Sequence, residues 1–200
     1  MLEKIKIYGI FQSMVMLIHM IRTKLMFREA RLIRFPMDVR GKKYISIEKG
    51  FTAGTGCRME AYPMDGQSRT LRIGKNVQIN DYVHITAIHS VIIEDNVLIA
   101  SKVYISDCSH GSYTGAEQSN PMEIVKDRKL SFRPVLIKEN AWLGDNVAIL
   151  PGMVVGRNSI IGANSVVCSS IPDNTIAVGA PAKVIKKYND VTGCWERVMQ

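Results

Sequence analysis

The fold is decided by residues 135–183, which read VLIKENAWLGDNVAILPGMVVGRNSIIGANSVVCSSIPDNTIAVGAPAK. Aliphatic side chains recur here at every sixth position, namely Ile137, Leu143, Ile149, Val155, Ile161 and Val167. A helix repeats about every 3.6 residues and a strand about every 2. A period of six therefore indicates a chain that turns a corner after every short strand. The pattern predicts an all-β solenoid in which each aliphatic side chain points inward.

Three such hexads would close one triangular coil of about 18 residues, stacked on the next coil at the strand spacing of about 4.8 Å. Gly144, Gly156 and Gly162 each follow an aliphatic position, where the chain is expected to bend. The spacing does not indicate the handedness of the coil.

The same period begins earlier in the chain, near Tyr44, and is interrupted by two small insertions and one long break. Its aliphatic or small residues are Ile47, Ala53, Met59, Ile73, Ile79, Ile85, Ile93, Ile99 and Ile105. Two-residue excesses before Ile73 and before Ile93 indicate small corner insertions. The repeat is lost between Ile105 and Ile137, which predicts a long loop over residues 107–134. Loops of this length inside a compact domain are usually functional.

Composition and charge indicate one substantial domain with a distinct N-terminus. The 200 residues are 46% hydrophobic, enough for a continuous core. The net charge of +8 is uneven, because residues 1–43 hold ten Lys and Arg against three acids. We expect a basic amphipathic helical segment over 1–43, a β-helix domain over 44–183, and a C-terminal cap over 184–200, since solenoid ends need a cover.

The four cysteines indicate neither a disulfide framework nor a cysteine zinc site, because none forms a Cys-x-x-Cys pair. They are Cys57, Cys108, Cys168 and Cys194. Unpaired thiols fit the reducing cytoplasm.

The N-terminal segment carries apolar residues at helical spacing. They are Ile7, Ile10, Phe11, Met14, Ile18, Ile21 and Leu25. The 15 uncharged residues from Ile7 to Ile21 are short for a membrane span, and no small-residue cleavage site of a signal peptide follows them. Two interpretations stay open: the segment rests on anionic lipid at the inner face of the cytoplasmic membrane, or it packs on the solenoid or a neighbouring subunit.

The terminal motifs resemble those of a known family. WLGDNVAILPGMVVGRNSIIGANSVV followed by IPDNTIAVGAPAKVIKKY is similar to the terminal signature of hexapeptide-repeat acyltransferases. The motifs IRFP, EKGFT, VQINDYVHI, VLIASKVYISD, the HG pair and a later WER extend the resemblance to O-acetyltransferases of O-antigen biosynthesis. Galactoside and maltose acetyltransferases are more distant. The resemblance implies a left-handed parallel β-helix, whose crossovers break the usual right-handed rule.

The resemblance also implies a reaction: an acetyl group moves from acetyl-CoA to a sugar hydroxyl of an O-antigen, lipopolysaccharide or capsule precursor. His110 holds the position of the family's catalytic histidine and is expected to act as general base without a covalent enzyme intermediate. Asp107 is assigned to the acceptor side, where it either orients the imidazole or forms a turn. Relatives commonly read DHNHG where this chain reads DCSHG, so Cys108 replaces a histidine.

The remaining site residues are likewise implied by the resemblance. Asn80 matches an asparagine that binds the acceptor sugar, although Asn-Asp is also an ordinary corner pair. Acetyl-CoA is expected in a groove between the subunits of a homotrimer, with no metal and no nucleic acid. The residues expected beside the donor are Trp142, Gly144, Ala163, Ser169 and Lys183.

Other functions are compatible with a solenoid. γ-type carbonic anhydrases bind zinc through three histidines, for which His84, His89 and His110 are candidates. That family places its isolated histidine before the close pair, whereas here the pair comes first. A solenoid could also serve as a non-catalytic scaffold, or as a soluble acetyltransferase for free small sugars.

Overall fold

The structure, a computed structural model, describes residues 2–64, 66 and 69–198. One helix, α1 (Leu2–Met26), is kinked at Gly9, whose φ is 74°. Short 3-10 turns lie at Lys42–Tyr44 and Val125–Asp127. The remaining regular structure is β: three sheets, here called A, B and C, and one separate two-stranded hairpin.

The strands are short and numbered along the chain. Sheet A contains β1 (Leu32–Ile33), β4 (Thr52–Ala53), β7 (Gln78–Ile79), β10 (Leu98–Ile99), β15 (Trp142–Leu143), β18 (Ile160–Ile161), β20 (Thr175–Val178), β21 (Lys183–Asn189) and β22 (Cys194–Arg197). Sheet B contains β2 (Met37–Arg40), β5 (Cys57–Ala61), β8 (His84–Ala87), β11 (Tyr104–Ser106), β16 (Ala148–Ile149) and β19 (Val166–Val167). Sheet C contains β3 (Ile45–Ile47), β6 (Leu71–Ile73), β9 (Val91–Ile93), β14 (Val135–Ile137) and β17 (Val154–Val155). The hairpin is β12 (Cys108–His110) with β13 (Leu130–Phe132).

The chain visits sheets A, B and C in turn. From β4 to β20, apart from the hairpin, each strand pairs in parallel with the strand one circuit earlier, as Ala53 pairs with Ile33 and Ile105 with Ile85. The hairpin interrupts this order after β11, and the circuit resumes at β14, which pairs with β9. The predicted all-β class with parallel strands is therefore confirmed.

The core lies between the three sheets and consists of the residues at the six-residue period. Every member of that series from Ile73 to Val167 is at most 1% exposed. A second series of side chains, each four residues after a member of the first, is buried as well: Val77, Val83, Val97, Val103 and Val147. Full burial of each such side chain contributes about 1.5–3 kcal/mol.

Two of the three corners are kept uniform by residues in the left-handed conformation. At the corner between sheets C and A these are asparagines with φ of 55° to 59°, namely Asn76, Asn96, Asn140, Asn158 and Asn174. Asparagine tolerates this conformation better than most residues. Their amides also bond from coil to coil, with 3.2 Å between Asn140 and Asn158 and 2.8 Å between Asn158 and Asn174. The corner between sheets A and B uses Gly56, Tyr82, Lys102, Asn146 and Asn164 in the same way.

The third corner, between sheets B and C, carries the insertions. Residues 62–70, 88–90 and 107–134 all separate a strand of sheet B from the next strand of sheet C. The predicted loop therefore leaves the coils at the one corner where the connections differ widely in length.

The ends of the chain differ in detail from the expected boundaries. Strands β1 and β2 already pair with β4 and β5, so parallel pairing begins at Leu32, within the segment 1–43 that was expected to be helical. These strands are too short to show a repeat in the sequence. At the other end β21 and β22 pair antiparallel and extend sheet A, and Trp195 packs on Tyr188 with ring centroids 5.3 Å apart.

Candidate active site

Asp107 lies where β11 ends and the long excursion begins. It is 0% exposed. Its carboxylate accepts hydrogen bonds from the backbone N–H groups of Ile88 (3.0 Å), His89 (2.8 Å) and Ser90 (2.7 Å). A buried carboxylate with three donors fixes the turn of the preceding coil beneath the loop. The assignment of Asp107 to the acceptor is at odds with this burial, and of the two interpretations the turn is the one that fits.

His110 ends the first strand of the β12–β13 hairpin. The hairpin is antiparallel, with Cys108 opposite Phe132 and His110 opposite Leu130. His110 is exposed to solvent. Within residues 2–64, 66 and 69–198, the structure gives its ring no hydrogen bond, so both ring nitrogens are open to a substrate.

The backbone of His110 is held from within the loop. The hydroxyl of Tyr113 donates to the carbonyl oxygen of His110, and Arg128 Nη1 donates to that hydroxyl over 2.9 Å. Arg128 is fixed in turn, because its Nη2 donates to the carbonyls of Pro121 (3.0 Å) and Glu123 (3.1 Å). The Arg128 guanidinium thus connects the backbone at Pro121 and Glu123, through Tyr113, to the backbone of the candidate base.

Gly111 receives a second set of contacts. Its carbonyl accepts hydrogen bonds from Ser131 Oγ (2.6 Å) and Ser109 Oγ (3.2 Å). Its φ is 96°, and a Cβ there would lie 2.8 Å from both Ser119 Oγ and Tyr113 Oη. Only glycine fits this conformation and space, so the HG pair has a structural reason.

Cys108 occupies the position where relatives carry a histidine. It is half-buried beside Ser106, with 3.4 Å between Sγ and Oγ. Burial raises the pKa of the Cys108 thiol, and the charges of Asp107 and Glu60 raise it further against the lowering effect of the Ser106 hydrogen bond. The thiol therefore stays protonated at neutral pH and is no second base.

A charged cluster that the sequence did not reveal lies on the outer face of sheet B. Glu60 has a side chain only 7% exposed, between Arg40 (3.0 Å) and Arg58. Its other oxygen lies 3.2 Å from His84 Nε2 and 3.3 Å from Thr86 Oγ1. Burial opposes ionisation of Glu60, but the hydrogen bonds from Arg58, His84 and Thr86 outweigh it and lower its pKa. The members come from three successive coils, through the pairs Arg40–Glu60, Arg58–His84 and Glu60–Thr86.

Four of the five residues expected at the donor lie along the side of sheet A where its parallel strands end, here called the edge of sheet A. Trp142 is 47% exposed on β15. Gly144 and Ala163 follow the neighbouring strands β15 and β18, and a Cβ at Gly144 would come within 2.7 Å of Ala163 N. Lys183 is exposed and pairs with Val178 at the end of β20. The edge thus combines an aromatic face, a glycine without side chain and an exposed cation.

Ser169 lies away from that group, and Asn80 lies on the same edge but two coils earlier. Ser169 follows β19 at the corner between sheets B and C. Asn80 follows β7 and so lies on the same edge of sheet A as Gly144, two coils earlier, in a groove beside α1. Its Oδ1 accepts a hydrogen bond from Gln78 Nε2 at 3.1 Å. His110 belongs to a different corner of the same chain.

The histidines do not assemble a metal site in the part of the chain that the structure describes. No group of three His, Cys, Asp or Glu side chains there could hold an ion. His84 pairs with Glu60, and His89 stacks on Phe132 with centroids 4.8 Å apart. The zinc hypothesis gains no support from this arrangement.

Comparisons with known proteins agree with the motifs. The family model described as bacterial transferase hexapeptide (six repeats) matches residues 134–169. The chain is 42% identical over 197 residues to WbbJ of Escherichia coli, named as an O-acetyl transferase of lipopolysaccharide biosynthesis, and 98% of each chain is covered. It is 33% identical over 155 residues to the galactoside O-acetyltransferase of Escherichia coli, covering 78% of this chain and 72% of that protein.

Solved structures give the same result. Galactoside acetyltransferase in complex with coenzyme A has a TM-score of 0.52 at 30% identity, covering 78% of this chain and 67% of that one. A serine-to-alanine mutant of AntD, an N-acyltransferase from Bacillus cereus, in complex with dTDP-4-amino-4,6-dideoxyglucose and coenzyme A has a TM-score of 0.64 at 21% identity, covering 80% of this chain and 83% of that one. The second likeness concerns the fold alone. Given the identity to WbbJ over nearly both whole chains, this protein belongs to the hexapeptide-repeat family of O-acetyltransferases.

Proposed function

We propose that the protein transfers an acetyl group from acetyl-CoA to a sugar hydroxyl of an O-antigen, lipopolysaccharide or capsule precursor. The observation that carries this proposal is His110, which is exposed at the end of a hairpin strand. Tyr113 and Ser131 hold the backbone carbonyls of His110 and Gly111. The chain as a whole is 42% identical to WbbJ over 98% of its length. We propose the cytoplasm as the compartment, because the cysteines are unpaired.

The proposed chemistry needs one proton acceptor. A neutral His110 ring takes the proton of the sugar hydroxyl while the hydroxyl oxygen attacks the thioester carbonyl. A carbon–oxygen bond forms, the carbon–sulfur bond breaks, and the thiolate that leaves recovers the proton from the imidazolium. Imidazole is the side chain that exchanges a proton most readily near neutral pH. No covalent bond to the enzyme is required.

The donor is proposed to lie along the edge of sheet A. Trp142 offers an aromatic face, and the absence of a side chain at Gly144 lets an extended chain approach the backbone of Ala163. Lys183 suits an anionic phosphate. Galactoside acetyltransferase was solved in complex with coenzyme A, which supports the identity of the proposed donor. Ser169, at another corner, is proposed to reach the donor only from a neighbouring subunit.

We further propose a left-handed parallel β-helix that assembles into a closed homotrimer. The circuit through sheets A, B and C and the likeness to solved transferases support the coil. Asn80 and four of the five residues proposed for the donor share one edge of sheet A, whereas His110 lies at another corner. A site that uses both is completed by the His110 of a second copy.

The test is incubation of the enzyme with acetyl-CoA and three acceptor classes: lipid-linked sugars, nucleotide-linked sugars and free galactosides. Mass spectrometry of the acceptor should show a gain of one acetyl group on the lipid- or nucleotide-linked class. The 33% identity to galactoside O-acetyltransferase favours the free sugar as the competing acceptor, and preferential acetylation of it would replace our proposal. No transfer to any acceptor, together with no acetyl-CoA binding, would favour the scaffold.

A further inference from the structure

The outer side of α1 is an apolar stripe that contacts water. It consists of Ile10, Phe11, Met14, Leu17, Ile18, Ile21 and Leu25, each between 48% and 81% exposed. At about 3.6 residues per turn these seven side chains occupy one arc of about 120°. Soluble monomers rarely expose a contiguous apolar surface of this kind without a partner. We define these residues as the α1 stripe.

The opposite side of α1 is fixed to the solenoid. Thr23 is 0% exposed, and its Oγ1 accepts a hydrogen bond from Ile33 N at 2.8 Å. His19 stacks on Phe35 with centroids 5.9 Å apart and accepts a hydrogen bond from Phe35 N at 3.3 Å. Rolling the helix to bury the stripe on its own solenoid would break these contacts. The stripe therefore has to be covered from outside the chain.

The charges beside the stripe have one sign. No acidic residue occurs between Lys4 and Arg28. Arg22 and Lys24 lie on either side of the stripe at helical spacing. Both cations also contact the rest of the chain: the Arg22 guanidinium lies 4.1 Å from the centroid of the Phe35 ring, and Lys24 Nζ donates to the carbonyls of Arg28 (3.0 Å) and Ala30 (2.8 Å). Each cation is thus held at the border between the stripe and the solenoid. An apolar arc with cations along both borders is complementary to an anionic lipid surface, because acyl chains meet the arc and headgroups meet the cations.

The α1 helix of a second copy is a poorer occupant for the same reason. Two such helices face to face would bring their Arg22 and Lys24 side chains together without an acid on either helix between Lys4 and Arg28. Like charges at such a contact are unfavourable. A helix that spans the bilayer does not fit either, because within the described residues no helix has the length and apolarity needed to cross it.

We propose that α1 lies in the plane of an anionic bilayer surface, with the α1 stripe toward the acyl chains and Arg22 and Lys24 at the headgroups. The helix then holds the solenoid against the membrane. This inference deepens the proposed function, since a lipid-linked acceptor would reach the site from the same surface. Binding of α1 to lipid does not depend on the catalytic reaction, so the two can be tested separately.

The test is sedimentation of the full-length protein with vesicles of phosphatidylcholine alone or mixed with phosphatidylglycerol. The protein should sediment with the anionic vesicles only, and less at high salt, since surface charges are screened over about 8 Å at physiological ionic strength. The double variant Phe11→Ala, Ile18→Ala should lower the partition coefficient by about tenfold or more. The matched control Val191→Ala, Val198→Ala removes two exposed apolar side chains near the C-terminus and should bind as the wild type does.

Three results would overturn the proposal. The wild type could ignore anionic vesicles, or the stripe variant could bind them unchanged. A loss of oligomer mass by light scattering in the stripe variant, without vesicles, would show that a second copy covers the stripe. His110→Ala separates this inference from the proposed reaction, because that variant should lose turnover and keep full vesicle binding.

Discussion

Arg128 and Tyr113, 15 residues apart in the same excursion, are joined by a hydrogen bond of 2.9 Å whose hydroxyl continues to the carbonyl of His110. The candidate base is thus held by a residue near the far end of its own loop. The contact is to the backbone, so it sets where the imidazole lies without touching the ring.

Tyr113→Phe removes this hydroxyl and keeps the ring. We expect kcat to fall by about two- to tenfold, the free energy of one hydrogen bond, with the KM for acetyl-CoA unchanged because four of the five residues proposed for the donor lie on sheet A. Steady-state kinetics with varied acetyl-CoA measures both. The control is Tyr82→Phe, whose hydroxyl has no hydrogen bond within the described part of the chain. A raised KM with unaltered kcat would show that Tyr113 does not position the base.

His110→Ala tests the base itself. Turnover should fall by roughly 10² to 10⁴, the usual contribution of a general base. Acetyl-CoA affinity, measured by calorimetry, and the unfolding midpoint should both stay near wild type, because His110 is exposed and its ring makes no hydrogen bond among the residues described. Retention of more than a tenth of the activity would exclude His110 from this role.

Asp107→Asn tests the buried turn. An amide replaces a charged acceptor of three backbone N–H groups with one neutral oxygen, so urea unfolding should show a loss of about 2–4 kcal/mol. Asp145→Asn is the matched control, because Asp145 accepts a single exposed bond from Ser101 N at 2.8 Å. Its loss should be about 0.5–1.5 kcal/mol. Equal losses in the two variants would contradict the special position of Asp107.

Glu60→Gln tests the charged cluster through pH. The folded pKa of Glu60 is lowered from 4.5, so its charge contributes stability that is fully present above pH 4.5 and is lost as pH falls through the folded pKa. The difference in urea midpoint between wild type and variant should therefore be large at pH 7 and shrink steadily below pH 4.5. A difference that stays constant down to pH 3 would mean that the carboxylate charge is not what stabilises the cluster.

Light scattering tests the assembly. The mass in solution should be about three times 22.4 kDa, since a closed ring brings the His110 corner of one copy to the sheet A edge of the next. Mixing His110→Ala subunits with subunits altered at Trp142 should restore part of the activity. A fully active monomer would overturn the shared site.

Much of the fold could be predicted because a buried aliphatic side chain recurs at every sixth position of the sequence. Ile137 or Val155 is buried whatever its neighbours are, so the period survives in the sequence. The cluster around Glu60 carries no such signal. Arg58 and His84 meet because their strands are in register. The insertion at residues 62–70 moves the two residues farther apart in sequence than one regular coil, so their pairing follows no fixed spacing.

The role of Asp107 was also hard to predict from the sequence. Its position before the HG pair fitted both an acceptor contact and a turn. The difference lies in the N–H groups of residues 88–90, which belong to the previous coil. Backbone donors have no signature in the sequence, so the sequence alone does not distinguish the acceptor contact from the turn.

The restriction of insertions to the corner between sheets B and C determines how the gene can change in length. From β6 to β19 the connections at the other two corners each contain four residues, and a residue added there would rotate every later side chain to the wrong face. At the third corner the chain can lengthen freely, because the next strand starts in phase however long the excursion is. New loops of this scaffold, and with them new acceptor preferences, are therefore expected to arise by insertion beside His110, while the phase of the buried hexads stays untouched.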